Sequence, residues 1–274
     1  MAPNTDSLIR FLLPDVKCRG ALIRGTHIFE AAKAAHGLSD TPAQMFGQTL
    51  LASILLLSSS KGGIRQVLQL DAHPQQSQAP IQRILAEARS GAVRGYLNWQ
   101  EESIGHRNEH EQGISAWMGH PLHISTVRDL GFGHPYVSTI EHDSEFLADH
   151  IVQYLNQSVQ IHADIVLVGE TALLIEAMPG CEDESWFKAV ETLATISSDT
   201  FIHQQPEEII AAFDTLHATI VGRDAYAYQC RCSVEKMADL LHNMNPEDLK
   251  SLADEEGNVT LSCQYCSSHY TLTI

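Results

Sequence analysis

Four of the six cysteines in this 274-residue chain stand in two tight pairs, "CRC" at residues 230–232 and, thirty residues later, "CQYC" at residues 263–266. Thiols so spaced constrain the fold more than any hydrophobic pattern. Two close pairs carried on two turns are the usual way for a short chain to offer zinc a tetrahedron of soft ligands. Between the pairs, "SVEKMADLLHNM" opens on Ser233 as an N-cap and aligns Met237, Leu240, Leu241 and Met244, while "NPEDLKSLADEEG" has Asn245 as cap, Pro246 next and Gly257 at its end. Two short helices thus hang between two metal knuckles. From Cys230 onward the sequence has only 45 residues, too few for a core that is stable alone. Structural zinc contributes about 10 to 16 kcal/mol of apparent binding energy, against about 5 to 15 kcal/mol for the whole stability of a typical domain. Loss of the metal is expected to unfold this module.

Two other chemistries for such cysteines fit less well. A thioredoxin-like C-x-x-C needs a helix behind it, whose dipole lowers the pKa of the attacking thiol, but Cys266 is followed by the strand-like "SSHYTLTI". A nucleic-acid-binding zinc ribbon needs a basic face, yet seven acids (Glu235, Asp239, Glu247, Asp248, Asp254, Glu255, Glu256) oppose Arg231, Lys236 and Lys250. The whole chain carries a formal charge of −17, the wrong sign for releasing counterions from phosphates. What remains is a redox property. Thiolates held on zinc are oxidisable, and each pair is close enough in sequence to form its own disulfide, so that peroxide would expel the metal.

The longest apolar run, residues 50–57, is broken by Ser53 and far too short to cross a bilayer. "MAPNTDSLIR" has an acid at Asp6 and no basic lead-in, so it does not read as a secretory signal. A cytoplasmic, reducing compartment is expected, where clustered cysteines hold metal or do redox chemistry.

A hydrophobic content of 44% fills a large core. "TPAQMFGQTLLASILLLSSSKGG" reads as a buried helix over residues 41–61, with Thr41 as N-cap, Pro42 first, Gln44 closing a capping box, and Gly62 and Gly63 as the stop. "VLQLDA" alternates as a strand, whereas "IQRILAEA" fits a helix through Ile81, Ile84, Leu85 and Ala88 although its surroundings suggest sheet. "DSEFLADHIVQYLNQS" puts Leu147, Ile151, Tyr154 and Leu155 on one helical face behind Asp143 or Ser144, and "ADIVLVG" and "TALLIEAMPG" are two strands joined at Gly169. This mixture without βαβ alternation predicts an α+β domain over residues 1–179, broken at Pro179 and Gly180. A helical linker over 180–228 follows, with one apolar stripe at Trp186, Val190 and Leu193 and a second, starting at Pro206, through Ile209, Phe213, Leu216 and Ile220. Residues 229–274 form the small zinc-binding C-terminal domain.

With the C-x-C, thirty-residue spacer and C-x-x-C on view, the chain resembles the thirty-three-kilodalton heat-shock protein family of redox-regulated holdase chaperones. "GAVRGYL" at 91–97 is similar to that family's Gly-x-x-Arg-Gly-Tyr segment, "YLNQSVQ" at 154–160 to its Tyr-x-x-x-Ser-Glu-Gln stretch, and "ALLIEAMPG" to the end of its first domain. Val159 replaces the family's Glu, Glu176 its usual Gln, and "DAHPQQSQAP" a short Gly-rich turn. The resemblance implies strand for "IQRILAEA". It implies that Cys230, Cys232, Cys263 and Cys266 bind one zinc ion in a reduced, inactive state, and that oxidation pairs Cys230 with Cys232 and Cys263 with Cys266 and releases the zinc. An ATP-independent holdase would then loosen its linker, bind unfolding client proteins and prevent their aggregation, as a homodimer when oxidised. Robbed of a packing partner, the linker would present Trp186, Phe187, Val190, Leu193, Ile209, Phe213 and Leu216 to clients. The alternative is a zinc-stabilised interaction protein with purely structural cysteines.

The remaining motifs are bland. No Walker loop or Gly-x-Ser-x-Gly occurs, "GFGHPY" at Gly131 reads as a turn, and "HEQGI" at His110 fails the metalloprotease pattern. The chain is expected not to be an enzyme and to bind neither nucleic acid nor membrane. His120, His123 and His134 could gather round a second metal, but scattered histidines are the simpler reading. Cys18 and Cys181 read as inert thiols without partners in sequence, although Cys181, at the linker start, is open to stray disulfides.

Overall fold

The computed structural model describes residues 4–107 and 113–273, so the near-motif at His110 lies outside the described residues. In chain order the elements begin with β1 (Asp6–Leu13), β2 (Cys18–Arg24), α1 (Thr26–His36), α2 (Asp40–Ser59), β3 (Arg65–Ala72), β4 (Ile81–Arg89), β5 (Ala92–Trp99) and α3 (Ser115–Met118). They continue with β6 (Leu122–Asp129), β7 (Tyr136–His142), α4 (Leu147–Tyr154), β8 (Ala163–Val168) and β9 (Thr171–Ala177). Three linker helices, α5 (Asp183–Ala194), α6 (Ser198–His203) and α7 (Pro206–Ala211), lead to β10 (Thr219–Tyr228). The chain closes with α8 (Val234–His242), α9 (Pro246–Leu252), β11 (Asn258–Ser262) and β12 (His269–Thr273).

Among the described residues ten strands make one sheet in the order β7-β6-β3-β4-β5-β10-β1-β2-β9-β8, and β11 and β12 form a separate hairpin. Helix α2 lies on one face with fourteen buried residues, among them Phe46, Leu50, Leu51, Ile54 and Leu55. Each such side chain contributes about 1.5 to 3 kcal/mol, which explains a helix apolar on most sides. It begins at Asp40 behind Ser39, so Thr41 is not its cap and Pro42 stands third, where its missing N–H still costs nothing. "IQRILAEA" is strand β4, paired with both β3 and β5. Its helix-like spacing arises because Ile84, Leu85, Ala86, Glu87 and Ala88 are buried in a run, on both faces of a central strand. On the opposite sheet face, Ile9, Phe11, Leu22, Leu173 and Ile175 pack against Leu193, Phe201, Ile209, Ile210 and Phe213 from the linker.

The linker is helical only as far as Ala211. The second stripe, expected to run to Ile220, is cut by a short turn at Asp214–Leu216 and by His217 in the left-handed region at φ 53°. Ile220 instead sits in β10, antiparallel to β1 from Asp6↔Tyr226 to Leu12↔Thr219 and parallel to β5 at Ala227↔Ala92 and Tyr228↔Val93. Ile, Val, Thr and Tyr favour this extended state. The strand therefore joins the two halves of the sheet and hands the chain on to Cys230.

Candidate metal centre and its docking platform

Cys230 and Cys232 follow the end of β10, and Cys263 and Cys266 sit in the turn between β11 and β12. That turn is held by Cys266 N–H and Ser267 N–H donating to Cys263 O (3.3 and 2.8 Å) and by Cys263 N–H donating to Ser268 O (2.9 Å). Ser233 caps α8 through Lys236 N–H and Asn245 caps α9 through Glu247 N–H, as the spacing predicts. The four sulfurs lie within 4.8 Å of one another. Sγ of Cys230 is 3.7 Å from that of Cys263, and Sγ of Cys232 is 3.3 Å from that of Cys266. A tetrahedron with Zn–S bonds of about 2.3 Å has edges of about 3.8 Å, so the residues fit such an ion.

The electrostatics agree. Burial and the neighbouring thiols push Cys263 up to about 12. Burial would also raise Cys266, but the Ser268 hydroxyl and amide and the Cys232 and Cys230 thiols bring it down to about 7. Tyr270 OH donates to Cys232 Sγ at 3.0 Å. Four sulfurs this close ionise together only around a cation.

The residues inside the two cysteine motifs tie the module to the sheet. Arg231, the middle of C-x-C, reaches Glu87 Oε1 on β4 at 2.6 Å, where Arg65, Arg89 and Arg94 also converge, each at 3.3 Å. Glu87 is buried, which alone would raise its pKa, but Arg94 and Arg65 outweigh this and hold the carboxyl below its usual range. Tyr265, in C-x-x-C, lies under the Arg94 guanidinium, 4.0 Å from ring centroid to Cζ, and meets Tyr96 edge-on at 5.6 Å. Its carbonyl accepts from Tyr228 OH, which is 2.9 Å from His36 Nε2.

These contacts give "GAVRGYL" a physical reading. Gly91 turns the β4–β5 hairpin at φ 74°, Arg94 serves both Glu87 and Tyr265, and Tyr96 receives Tyr265. Gly95 has no room for a side chain, because a Cβ there would meet Leu85 O at 2.2 Å and the ends of Phe46 and Leu50. Glu87, Arg65, Tyr228 and Tyr265 were not singled out from the sequence. The one local signal was an arginine and a tyrosine set within the cysteine motifs.

Other expected sites fare differently. Among the seven linker residues, Leu193, Ile209 and Phe213 are buried, Trp186, Val190 and Leu216 are packed at the margin of the same cluster, and Phe187 is 64% exposed. The three histidines do not gather. His123 bonds Glu141 at 2.8 Å and joins His73, a residue not foreseen, in a group able to hold a metal. His120 pairs with Asp143 and His134 is exposed in the β6–β7 turn, which "GFGHPY" forms as expected. Glu176, in place of the family's Gln, is buried against Arg19. Cys18 and Cys181, without partners in sequence, face each other in the fold with sulfurs 3.7 Å apart.

Comparison with known proteins agrees with this architecture. The family model described as Hsp33 protein matches residues 6–273. The 33 kDa chaperonin of Geobacter sulfurreducens is 25% identical over 98% of this chain and 92% of its own. That of Trichodesmium erythraeum is 26% identical over 97% and 89%, and that of Bacillus subtilis 23% over 98% and 95%. The crystal structure of a 33 kDa chaperonin (heat shock protein 33 homolog) from Thermotoga maritima superposes with a TM-score of 0.79 at 21% identity, covering 97% of this chain and 94% of that one.

Proposed function

Because this chain belongs to the Hsp33 family, matched from residue 6 to residue 273, we propose that it is a redox-regulated, ATP-independent holdase chaperone, silent when reduced and active when oxidised. The observation that carries the reading is the four-cysteine cluster, docked on the sheet by residues of its own motifs. Zinc, one ion in the reduced state, would be held by Cys230, Cys232, Cys263 and Cys266, where its charge lets four thiolates coexist. Such a site has a net negative charge, and the arginine surplus around Glu87 faces it, with Arg94 Nη1 3.9 Å from Cys230 Sγ.

Oxidation to Cys230–Cys232 and Cys263–Cys266 disulfides removes all four ligands at once. In the reduced geometry all four sulfurs lie within 4.8 Å of one another, with close approaches between thiols 33 and 34 residues apart in sequence. Pairing within each motif outlasts the opening of the module, because neighbours two or three residues apart stay close in an unfolded chain and distant ones do not. With the knuckle undone, Tyr265 and Arg231 leave the sheet, and the C-terminal end of β10 keeps only its pairing with β1 and β5. The linker then loosens and offers Trp186, Phe187, Val190, Leu193, Ile209, Phe213 and Leu216 to unfolded client proteins, with a homodimer doubling the surface.

As functional units we take residues 1–179 as the chaperone domain, 180–228 as the linker and 229–274 as the switch. The linker's last ten residues, as β10, belong structurally to the chaperone sheet. No described helix is long and apolar enough to cross a membrane, and the thiol chemistry suits a reducing cytoplasm. We assign the chain no catalytic step and no nucleic-acid partner.

The test is light scattering of an unfolding client in the presence of the reduced, zinc-loaded chain or the peroxide-treated, zinc-free one, with released zinc measured in parallel. Suppression by the oxidised form alone is expected. Zinc retained after peroxide, together with silence toward the client, would replace this reading with a zinc-stabilised interaction protein whose cysteines are structural.

A further inference from the structure

The two cysteines outside the zinc cluster are 163 residues apart in sequence and come together at the root of the linker. Cys18 opens β2 just after Lys17, which takes the left-handed conformation at φ 49°. Cys181 follows the break at Pro179 and Gly180, where the chain folds back. Met178 N–H donates to Lys17 O (2.9 Å), Cys181 N–H to Met178 O (3.0 Å), and Lys17 Nζ to Gly180 O (3.0 Å). Both thiols then reach one acceptor, Val16 O, at 3.4 Å from Cys18 and 3.2 Å from Cys181. Their sulfurs lie 3.7 Å apart, and a bond of about 2.05 Å needs them to close by less than about 2 Å. Cys18 has no exposed surface, whereas Cys181 is half-buried.

We propose that Cys18 and Cys181 are a second, zinc-independent redox pair, whose disulfide staples the start of the linker to β2. The asymmetry of the pair sets the order of events. Cys181 meets solvent, so peroxide attacks there, and its thiolate displaces hydroxide to become a sulfenic acid. Cys18 is sheltered and keeps its proton, its pKa pushed up to about 12 by burial and by Cys181 beside it. The Cys18 sulfur then bonds the Cys181 sulfur, and the sulfenic oxygen leaves as water with the Cys18 proton. Peroxide is reduced by two electrons and the two thiols are oxidised by two. The consequence is mechanical. Residues from Glu182 onward can leave the sheet, but the linker root cannot, so opening becomes a hinge about residue 181.

The test uses the full-length, zinc-loaded chain, titrated with hydrogen peroxide, quenched with N-ethylmaleimide, digested and mapped by mass spectrometry. A Cys18–Cys181 linked peptide is expected to appear as the two alkylated peptides disappear, and Cys181→Ser is expected to abolish it without changing the zinc content of the reduced chain. Amide exchange in α5 of the oxidised chain should be several-fold faster in Cys181→Ser than in the parent. Recovery of both residues as alkylated thiols at doses that already release zinc would overturn the pair, as would Cys181 found only in intermolecular links, bonded to a zinc-cluster cysteine, or overoxidised and unlinked. Equal exchange in the two oxidised chains would overturn the staple. The peptide map reads the pair whether or not the chain holds clients, so its failure is distinguishable from failure of the holdase reading.

Discussion

Helix α2 alone buries fourteen residues, whereas the described part of the module beyond Cys230 buries four, Met237, Leu241, Val259 and Cys263. The sheet domain is held by apolar area, which no small chemical change removes. The module has almost none, and its amphipathic α8 even leaves Leu240 60% exposed. With so little apolar core, its fold leans on the surface it docks against and, on the function proposed above, on a metal ion. A protein built this way can lose one end while keeping the other, which is what a switch requires.

The sharpest way to break this contrast is to remove the metal. Chelation, or Cys263→Ser, should forfeit the roughly 10 to 16 kcal/mol of apparent metal-binding energy. Amide protection should vanish across α8, α9, β11 and β12 while α2 and β3 to β5 stay protected, as read by hydrogen exchange. Loss of protection in both regions at once would mean that the contrast does not exist. The converse is Leu50→Ala, at a side chain with no exposed surface. It should destabilise the sheet domain by about 2 to 5 kcal/mol in denaturant titration and leave zinc affinity unchanged.

Acid should separate the regions as well. His150 is fully buried on α4, and its pKa falls to about 4, first through burial and then through His142 at 3.0 Å. The folded state thus prefers the neutral ring. Its contribution is complete above the unfolded value of about 6.5 and is lost as pH falls toward 4, worth about 3 kcal/mol in all. His150→Gln should flatten the acid side of the stability profile over that window, measured by unfolding at fixed pH steps.

The smallest effect is at the seam. Glu87→Gln leaves Arg231 and Arg94 without their carboxylate. Because Arg231 is 42% exposed, the cost is expected at about 2 kcal/mol, below the roughly 3 to 5 kcal/mol of a fully buried pair. The module should stay zinc-bound but undock more often, seen as faster limited proteolysis near Gln229. The Glu87 pKa is depressed, so wild-type docking should hold above the usual carboxylate range and weaken as pH falls through the lowered value.

Much of this was written along the chain. The C-x-C and C-x-x-C spacing picked out four cysteines that the fold brings together, and the caps at Ser233 and Asn245, the alternation of β3 and the hairpin at Gly169 depend on residues within a few positions of one another. Local chemistry suffices for such features. What the tertiary structure alone decided joins residues far apart: Arg231 with Glu87, Tyr265 with Arg94, Cys18 with Cys181, and His73 with His123 and Glu141. The same holds for β10, where the helical spacing that runs from Ile209 to Ile220 stops after Ala211 and Ile220 takes up a vacant place between β1 and β5. Periodicity reports which side chains seek burial, but a strand needs partners for its backbone hydrogen bonds, and only the assembled sheet supplies them.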